Sequence, residues 1–288
     1  MTSITVRAFA KINLYLKILS KRPDGFHDIE TIMQNISLFD ELTIENGENG
    51  IIVDCDDPAV PSGDGNICYK AAKRLIGLSG AGGVKIKIKK NIPSGAGLGG
   101  GSSDAAAVIM ALNKLWGLSL DSNAMIKIAG EIGSDVPFFI IGGRALCRGR
   151  GEVIEKLPDP PKSYYVLVKP DVSVDTKWAY GEWDKKFQIS NFKLQKGEEK
   201  RFKCVGSNIV GFENDFEKII LPEYPAIDKV KKDLVAAGCG SVFLTGSGSA
   251  VFGKANNETG AKAVFETISN KYPGSFLTSS VNSAVEYI

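Results

Sequence analysis

The sequence predicts an α+β protein of two lobes, and three observations carry that prediction. Strand-like alternation and helix-like periodicity interleave along all 288 residues, without the regular β-α-β rhythm of a doubly wound sheet. Pro158, Pro160 and Pro161 interrupt the pattern near the middle, which divides the chain into 1–157 and 158–288. Glycine is in excess, with 32 residues where about 20 would be ordinary, and it gathers at 95–101, 130–151 and 238–248. Clustered glycine marks places where backbone must approach something closely.

The elements follow in order. Residues 5–19 alternate apolar and polar side chains and predict one or two strands; short strands follow at 41–45 and 51–54. Ile67, Ala71 and Leu75 recur at four-residue steps, with Asn66 placed to cap the start and Gly80 beyond the end, so 66–78 reads as a helix. Val84, Ile86 and Ile88 alternate with lysines in a strand at 84–90. Helices at 103–116 and 121–132, the second capped by Asp121, precede short strands at 144–147 and 153–157. The second half opens with a strand at 164–169 and a helix at 175–183. Residues 184–206 are polar and irregular, which predicts a surface loop. A helix at 226–237, strands at 241–244 and 250–253, and a helix at 258–271 complete the pattern.

Simple counts exclude several classes. Thirty-five basic and 33 acidic residues leave a net charge of +2, so nothing favours nucleic acid or an anionic membrane as partner. The longest apolar run, 105–112, falls far short of the roughly 18 residues of a membrane span. Arg7, Lys11 and Lys17 break up the N-terminal segment, which lacks the apolar stretch of a secretory signal. Cys55, Cys68, Cys147, Cys204 and Cys239 are scattered, with no C-x-x-C, and suggest neither a disulfide framework nor a zinc site. The expectation is a cytoplasmic protein with reduced cysteines.

The strongest motif is Pro93-Ser94-Gly95-Ala96-Gly97-Leu98-Gly99-Gly100-Gly101-Ser102-Ser103, between a predicted strand and a predicted helix. Its glycines clear side chains from the backbone and permit the positive φ that turns successive N–H groups toward an anion. The helix that follows aims its N-terminal dipole at the same place. Oligophosphate binding is the inference, with Ser102 and Ser103 as added hydroxyl donors or metal contacts. Familiar nucleotide motifs do not fit. Gly95, Gly97 and Gly100 match G-x-G-x-x-G, but Asp121, the acid at the required spacing, begins a helix instead of ending a strand. No Lys-Ser or Lys-Thr follows the glycines, and the protein-kinase signatures are absent.

Three further positions are candidates. Strand alternation puts Ala8, Ala10, Ile12 and Leu14 on one face and Phe9, Lys11 and Asn13 on the other. Lys11 reads on its own as an exposed strand lysine, and with Asn13 as half of a polar site. Asp135, in Gly133-Ser134-Asp135-Val136-Pro137, reads either as a helix cap or as a carboxylate able to accept a proton. His27 is the only histidine, exposed with Phe26 by the Pro23-Asp24-Gly25 turn, and reads equally as a ligand contact or a surface residue.

Together these pieces resemble the GHMP small-molecule kinases. The resemblance rests on three motifs in the family's order: the lysine-bearing strand, the glycine loop 93–103, and Leu244-Thr245-Gly246-Ser247-Gly248-Ser249-Ala250. Ala10-Lys11-Ile12-Asn13-Leu14, Arg22-Pro23-Asp24-Gly25-Phe26-His27 and Gly133 to Phe139 look most like the members that phosphorylate the 2-hydroxyl of diphosphocytidyl-methylerythritol. The resemblance implies a two-lobed fold with the active-site cleft between the lobes. It implies ATP as co-substrate with Mg²⁺, and no tightly bound prosthetic group. It casts Asp135 as the base, Lys11 as the residue holding the reacting hydroxyl, and 93–103 as the cradle for ATP. Asn13 and His27 would contact the cytidine substrate, and Phe26 would stack on its base where the family usually has Tyr. Tyr180, with Thr176 one turn before it, is the candidate second stacking aromatic. No Mg²⁺ ligands are evident in these motifs.

Overall fold

Two long strands, β1 (Ser3–Lys21) and β2 (His27–Gly47), form an antiparallel ribbon around which the first lobe is built. In the computed structural model, which describes residues 2–187, 203–205 and 208–288, the ribbon is followed by β3 (Gly50–Cys55), α1 (Ile67–Ser79) and β4 (Gly83–Lys89). Next come α2 (Gly100–Leu115), α3 (Ser122–Ile132), α4 (Val136–Ile141), β5 (Arg144–Gly149) and β6 (Val153–Lys156). The sheet runs β1-β2-β4-β3, with β5 also pairing to β2 and β6 to β5. Helices α1 to α4 cover one face through a core that includes Leu42, Ile86, Leu75, Val108, Leu112 and Phe138.

The second lobe contains β7 (Tyr164–Val168), α5 (Thr176–Phe187), β8 (Lys203–Val205), β9 (Asn208–Val210) and β10 (Glu213–Asn214). It continues with α6 (Glu217–Glu223), α7 (Pro225–Ala236), β11 (Ser241–Leu244), β12 (Val251–Ala255), α8 (Glu258–Ser269), β13 (Ser275–Ser279) and β14 (Val285–Tyr287). Its antiparallel sheet has the order β11-β12-β7-β13. Two strands return to the first lobe: β10 pairs parallel with Tyr15 and Leu16, and β14 pairs antiparallel with Val6 to Ala8. We propose 157/158 as the boundary where the chain changes lobes, with these two short strands crossing back over it.

Several elements differ from the sequence reading. The alternation at 5–19 is one strand, and β2 extends far ahead of the short strand expected at 41–45. α2 begins at Gly100, three residues before the expected start, with Gly99 at its cap. Ala8 packs with the first-lobe core, whereas Ala10, Ile12 and Leu14 pack against Tyr165, Leu167 and Phe252 of the second lobe. The pairing of β1 with β2 slips between Phe9 and Lys11, and a slip changes which side an alternating residue faces. Of the stretch expected to be irregular, 184–187 continue α5 and 203–205 form β8; residues 188–202 and 206–207 lie outside the described residues.

Candidate active site

The glycine loop reaches its place because β1 and the turn after β11 both bind it. Lys11 N–H donates to the Leu98 carbonyl (2.9 Å), and Ala250 N–H donates to the Ala96 carbonyl (3.2 Å). The Thr245 hydroxyl lies 3.2 Å from the Gly97 carbonyl and 3.3 Å from Asn13 Oδ1, and accepts from Asn13 N–H at 3.1 Å. Gly97 has φ +77, and a Cβ there would stand 2.1 Å from the Thr245 carbonyl oxygen. Gly99 has φ +70 and sits where a Cβ would meet the Phe139 ring at 2.8 Å. Glycine at these two positions lets three segments close on one another.

The outer side of the loop bounds a cavity of about 420 Å³. Pro93 to Ser102 line it, with Val60, Pro61, Asn66, Ile67, Cys68, Lys90 and Asp104 opposite. Ser103 does not. Its side chain is fully buried and its hydroxyl donates to the Phe9 carbonyl (2.7 Å), so it fastens α2 to β1. The expectation of a second exposed hydroxyl is corrected at that position: starting the helix at Gly100 turns residue 103 inward. Lys90 and Asp104 are wall residues that the sequence reading missed. Lys90 bridges two buried carboxylates, Asp40 and Asp104, the latter at 2.8 Å. Asp104 Oδ1 is buried without a hydrogen-bond partner.

Burial, then the charge of Asp40, pushes the Asp104 carboxyl up to about 8, against the opposing pull of Lys90. The folded protein therefore holds a proton that the unfolded chain releases near pH 4. That contribution to stability is full below about pH 4 and is lost as pH rises toward 8. Asp104→Asn is expected to flatten the fall in melting temperature between about pH 5 and about pH 9. Thermal scans across that range check it; an unchanged slope overturns the assignment.

The inner side of the same loop bounds a second, smaller cavity of about 200 Å³, lined by Lys11, Asn13, Gly97, Gly99, Asp135, Arg150, Thr176 and Tyr180 among others. Lys11 is not the exposed strand lysine that its local sequence allows; it is buried, and its ammonium donates to Asn13 Oδ1 at 2.6 Å. Its Nζ lies 3.7 Å from Asp135 Oδ2. Asp135 occupies the cap position of α4, yet its side chain makes no capping hydrogen bond. The carboxylate instead faces Lys11, about a third exposed. Asn13 Nδ2 donates to the Thr31 hydroxyl (2.8 Å), which fixes which end of the amide meets Lys11.

A third cavity, about 710 Å³, adjoins the second and shares Arg150, Thr176 and Tyr180 with it. Phe26 projects into it and is about half exposed, with the Arg150 guanidinium 5.0 Å from its ring centre. His27 is buried, contrary to the exposure expected from the preceding turn. It is the first residue of β2, paired with Lys21, and its ring faces α5. There it stacks on Tyr180 (centroids 4.5 Å apart) and hydrogen-bonds Asp184 Oδ1 at 2.6 Å. Thr176, Tyr180 and Asp184 stand at four-residue steps on one face of α5. The Thr176 hydroxyl pairs with Ser247 (2.7 Å), and Asp184 also takes Lys21 at 2.7 Å. Burial alone would raise the Asp184 carboxyl, but the hydrogen bonds from Lys21 and His27 hold it below its ordinary value. Tyr180 thus has one ring face committed to His27 and meets Phe216 edge-on.

Among the described residues, no group of three or more His, Cys, Asp or Glu is arranged to hold a metal ion. Cys55, Cys68, Cys147 and Cys239 are free thiols.

Known proteins resemble this chain over nearly its whole length. A family model for the GHMP kinases N terminal domain matches residues 66–143, and one for the GHMP kinases C terminal domain matches 194–274. A Geobacter metallireducens protein named 4-diphosphocytidyl-2-C-methyl-D-erythritol kinase is 41% identical over 278 residues, covering 94% of this chain and 95% of its own. A Chloroherpeton thalassium protein of the same name is 43% identical, covering 95% and 96%. A crystal structure of 4-(cytidine 5'-diphospho)-2C-methyl-D-erythritol kinase superposes with a TM-score of 0.77 at 31% identity, over 96% of this chain and 98% of that one. The chain belongs to the GHMP kinases.

Proposed function

We propose that this protein transfers the ATP γ-phosphoryl group to the 2-hydroxyl of 4-diphosphocytidyl-2-C-methyl-D-erythritol, in the non-mevalonate route to isoprenoid precursors. The observation that carries the reading is the succession of three adjoining cavities, with Lys11 and Asp135 3.7 Å apart in the middle one. In this reading the first cavity takes ATP and the third takes the cytidine end of the acceptor. The names of the relatives at about 40% identity support the choice of acceptor.

The chemistry follows from the groups available. The glycine-loop N–H groups and the N-terminus of α2 hold the ATP phosphates. Lys11 meets the acceptor hydroxyl and fixes its oxygen in line with the γ-phosphorus, and Asp135 accepts the hydroxyl proton as the new O–P bond forms. The bond to the β–γ bridging oxygen breaks and ADP leaves. Positioning and charge stabilisation supply most of the acceleration in phosphoryl transfer. Arg150, common to the second and third cavities, carries the positive charge that suits the acceptor's diphosphate. Mg²⁺ keeps water and phosphate oxygens as ligands and needs few protein groups, so the sparse donor set fits it. Ser94 and Ser102 are hydroxyls on the cavity wall that would be available to it. When bound, the ion neutralises charge on the β- and γ-phosphates. No helix among the described residues is long and apolar enough to cross a membrane, and we place the enzyme in the cytoplasm, where its co-substrate ATP is held.

A coupled ADP-release assay with the diphosphocytidyl alcohol and Mg-ATP tests the assignment. Faster phosphorylation of mevalonate or homoserine at equal enzyme concentration would sink it. Base–aromatic stacking contributes about 1–3 kcal/mol. Phe26→Ala is therefore expected to raise KM for the cytidine substrate roughly 5- to 150-fold and to leave KM for ATP unchanged. An effect confined to ATP contradicts the placement of the base.

A further inference from the structure

His27, Tyr180 and Asp184 all line the third cavity, and they form a unit that the phosphoryl-transfer chemistry does not use. His27 opens β2 opposite Lys21, the last residue of β1, and both side chains converge on one carboxylate of α5. Asp184 Oδ1 meets His27 Nε2 at 2.6 Å, and Oδ2 takes the Lys21 ammonium at 2.7 Å. Each oxygen thus has its own partner, and turning the carboxylate would break both bonds. The Tyr180 ring lies against the buried imidazole, nearly parallel to it at 14°. Two turns before Asp184, the bond from Thr176 to Ser247 fastens the same face of α5 to the 245–250 turn.

Burial raises the Asp184 carboxyl, but Lys21 and then His27 outweigh it and hold the group below its ordinary value, so it is ionised near neutral pH. An ionised carboxylate only accepts hydrogen bonds. The hydrogen bond between the two residues is therefore donated by His27 Nε2, and Nδ1 is the ring nitrogen left to meet a ligand. In the neutral ring Nδ1 then carries the lone pair. Cytosine has an amino group at the ring position where uracil has an oxygen. A lone pair suits the amino group and repels the oxygen. An imidazole held by nothing shifts its proton to the other nitrogen and so adapts to either base; a carboxylate on Nε2 prevents that. We propose that Asp184 is a positioning residue, which makes the third cavity select cytosine over uracil by keeping the His27 proton on Nε2. The proposal rests on the assignment of that cavity to the cytidine end of the acceptor.

Histidine occurs once in the chain, so protein labelled with ¹⁵N-histidine gives a single pair of ring signals. Long-range ¹H–¹⁵N spectra at about pH 8.5, about two units above the ordinary histidine value, are expected to show the proton on Nε2 in the parent. Asp184→Ala is expected to show exchange between the two nitrogens. In Asp184→Asn the amide oxygen meets Lys21, a pure donor, which turns the amide NH₂ toward His27 and moves the proton to Nδ1. Calorimetry on the full chain then compares cytidine diphosphate with uridine diphosphate, the first cavity being filled by a saturating non-hydrolysable ATP analogue. The parent is expected to prefer cytidine diphosphate, and both variants to lose about tenfold of that preference. A residue that merely joined the lobes would weaken both nucleotides alike and leave their ratio unchanged. A proton on Nδ1 in the parent, or an unchanged ratio in both variants, overturns the proposal alone when cytidine diphosphate still binds. Failure of the parent to bind cytidine diphosphate overturns the assignment of the third cavity, and the proposal with it.

Discussion

Asp135→Asn should lower kcat by about 10²- to 10⁴-fold, the usual worth of a positioned general base, while the dissociation constant for ATP stays close to that of the parent. The separation of the two effects follows from where the carboxylate sits. Asp135 heads α4, but its side chain makes no capping bond, so replacing it removes no hydrogen bond that holds the helix. Helix α4 itself is anchored by buried Val136, Phe138 and Phe139. What the amide cannot do is take a proton from the acceptor hydroxyl beside Lys11. Steady-state turnover and calorimetric ATP binding on the same preparation decide the matter. Near-normal turnover rejects Asp135 as the base.

Gly97→Ala should damage the site from a different direction. The residue needs φ +77, and its new methyl would have to share space with the Thr245 carbonyl oxygen at 2.1 Å and the Gly248 oxygen at 3.1 Å. Those are backbone atoms, so the two loops must part. Parting them breaks the Thr245 bonds to Gly97 and Asn13, and Asn13 is the partner that holds Lys11. More than tenfold weaker ATP binding, a lower kcat and a melting temperature several degrees lower are expected, since about 1 kcal/mol corresponds to roughly 2–4 °C in a chain of this size. Gly95→Ala is the internal control. Its φ is also positive, at +63, yet no atom lies within 4 Å of the added carbon. In stability it should incur only the backbone penalty, about 1 kcal/mol, although its place on the wall of the first cavity lets the methyl weaken ATP binding too. Equal losses of melting temperature in the two variants would show that conformation, not the approach of the second loop, governs position 97.

These contrasts also explain what could be read from sequence. The helix at 66–78 was legible because its signals are local: Asn66 accepts from Cys68 N–H, and Gly80 takes φ +70 at the end. The glycine loop stood out through composition, whereas Lys11 and Asp135 became candidates for their roles only through the family resemblance. The first part of β2 did not, because its pairing with β1 slips at three places and each slip erases the alternation. β10 and β14 span two and three residues, too few to carry any pattern. They exist because β1 offers them an edge. His27 looked exposed because nothing near it in sequence reveals Asp184 and Tyr180, which meet it from α5. Lys90 follows Lys89 and so breaks the strand's alternation. That was the one visible sign that its ammonium turns inward to Asp40 and Asp104.

The same edge of β1 has a consequence for biosynthesis. The strand carrying Lys11 is made well before its edge partners: Leu98 meets Lys11 itself, but the flanking stretches of that side are not filled until residues 213–214 and then 285–287 arrive. Through most of translation that side presents unpaired N–H and C=O groups, the kind of template on which strands from other chains add. A nascent chain of this protein is therefore most exposed to misassembly at the very strand that later carries its chemistry. Synthesis of residues 285–287, not completion of the first lobe, marks the moment when that strand is sealed.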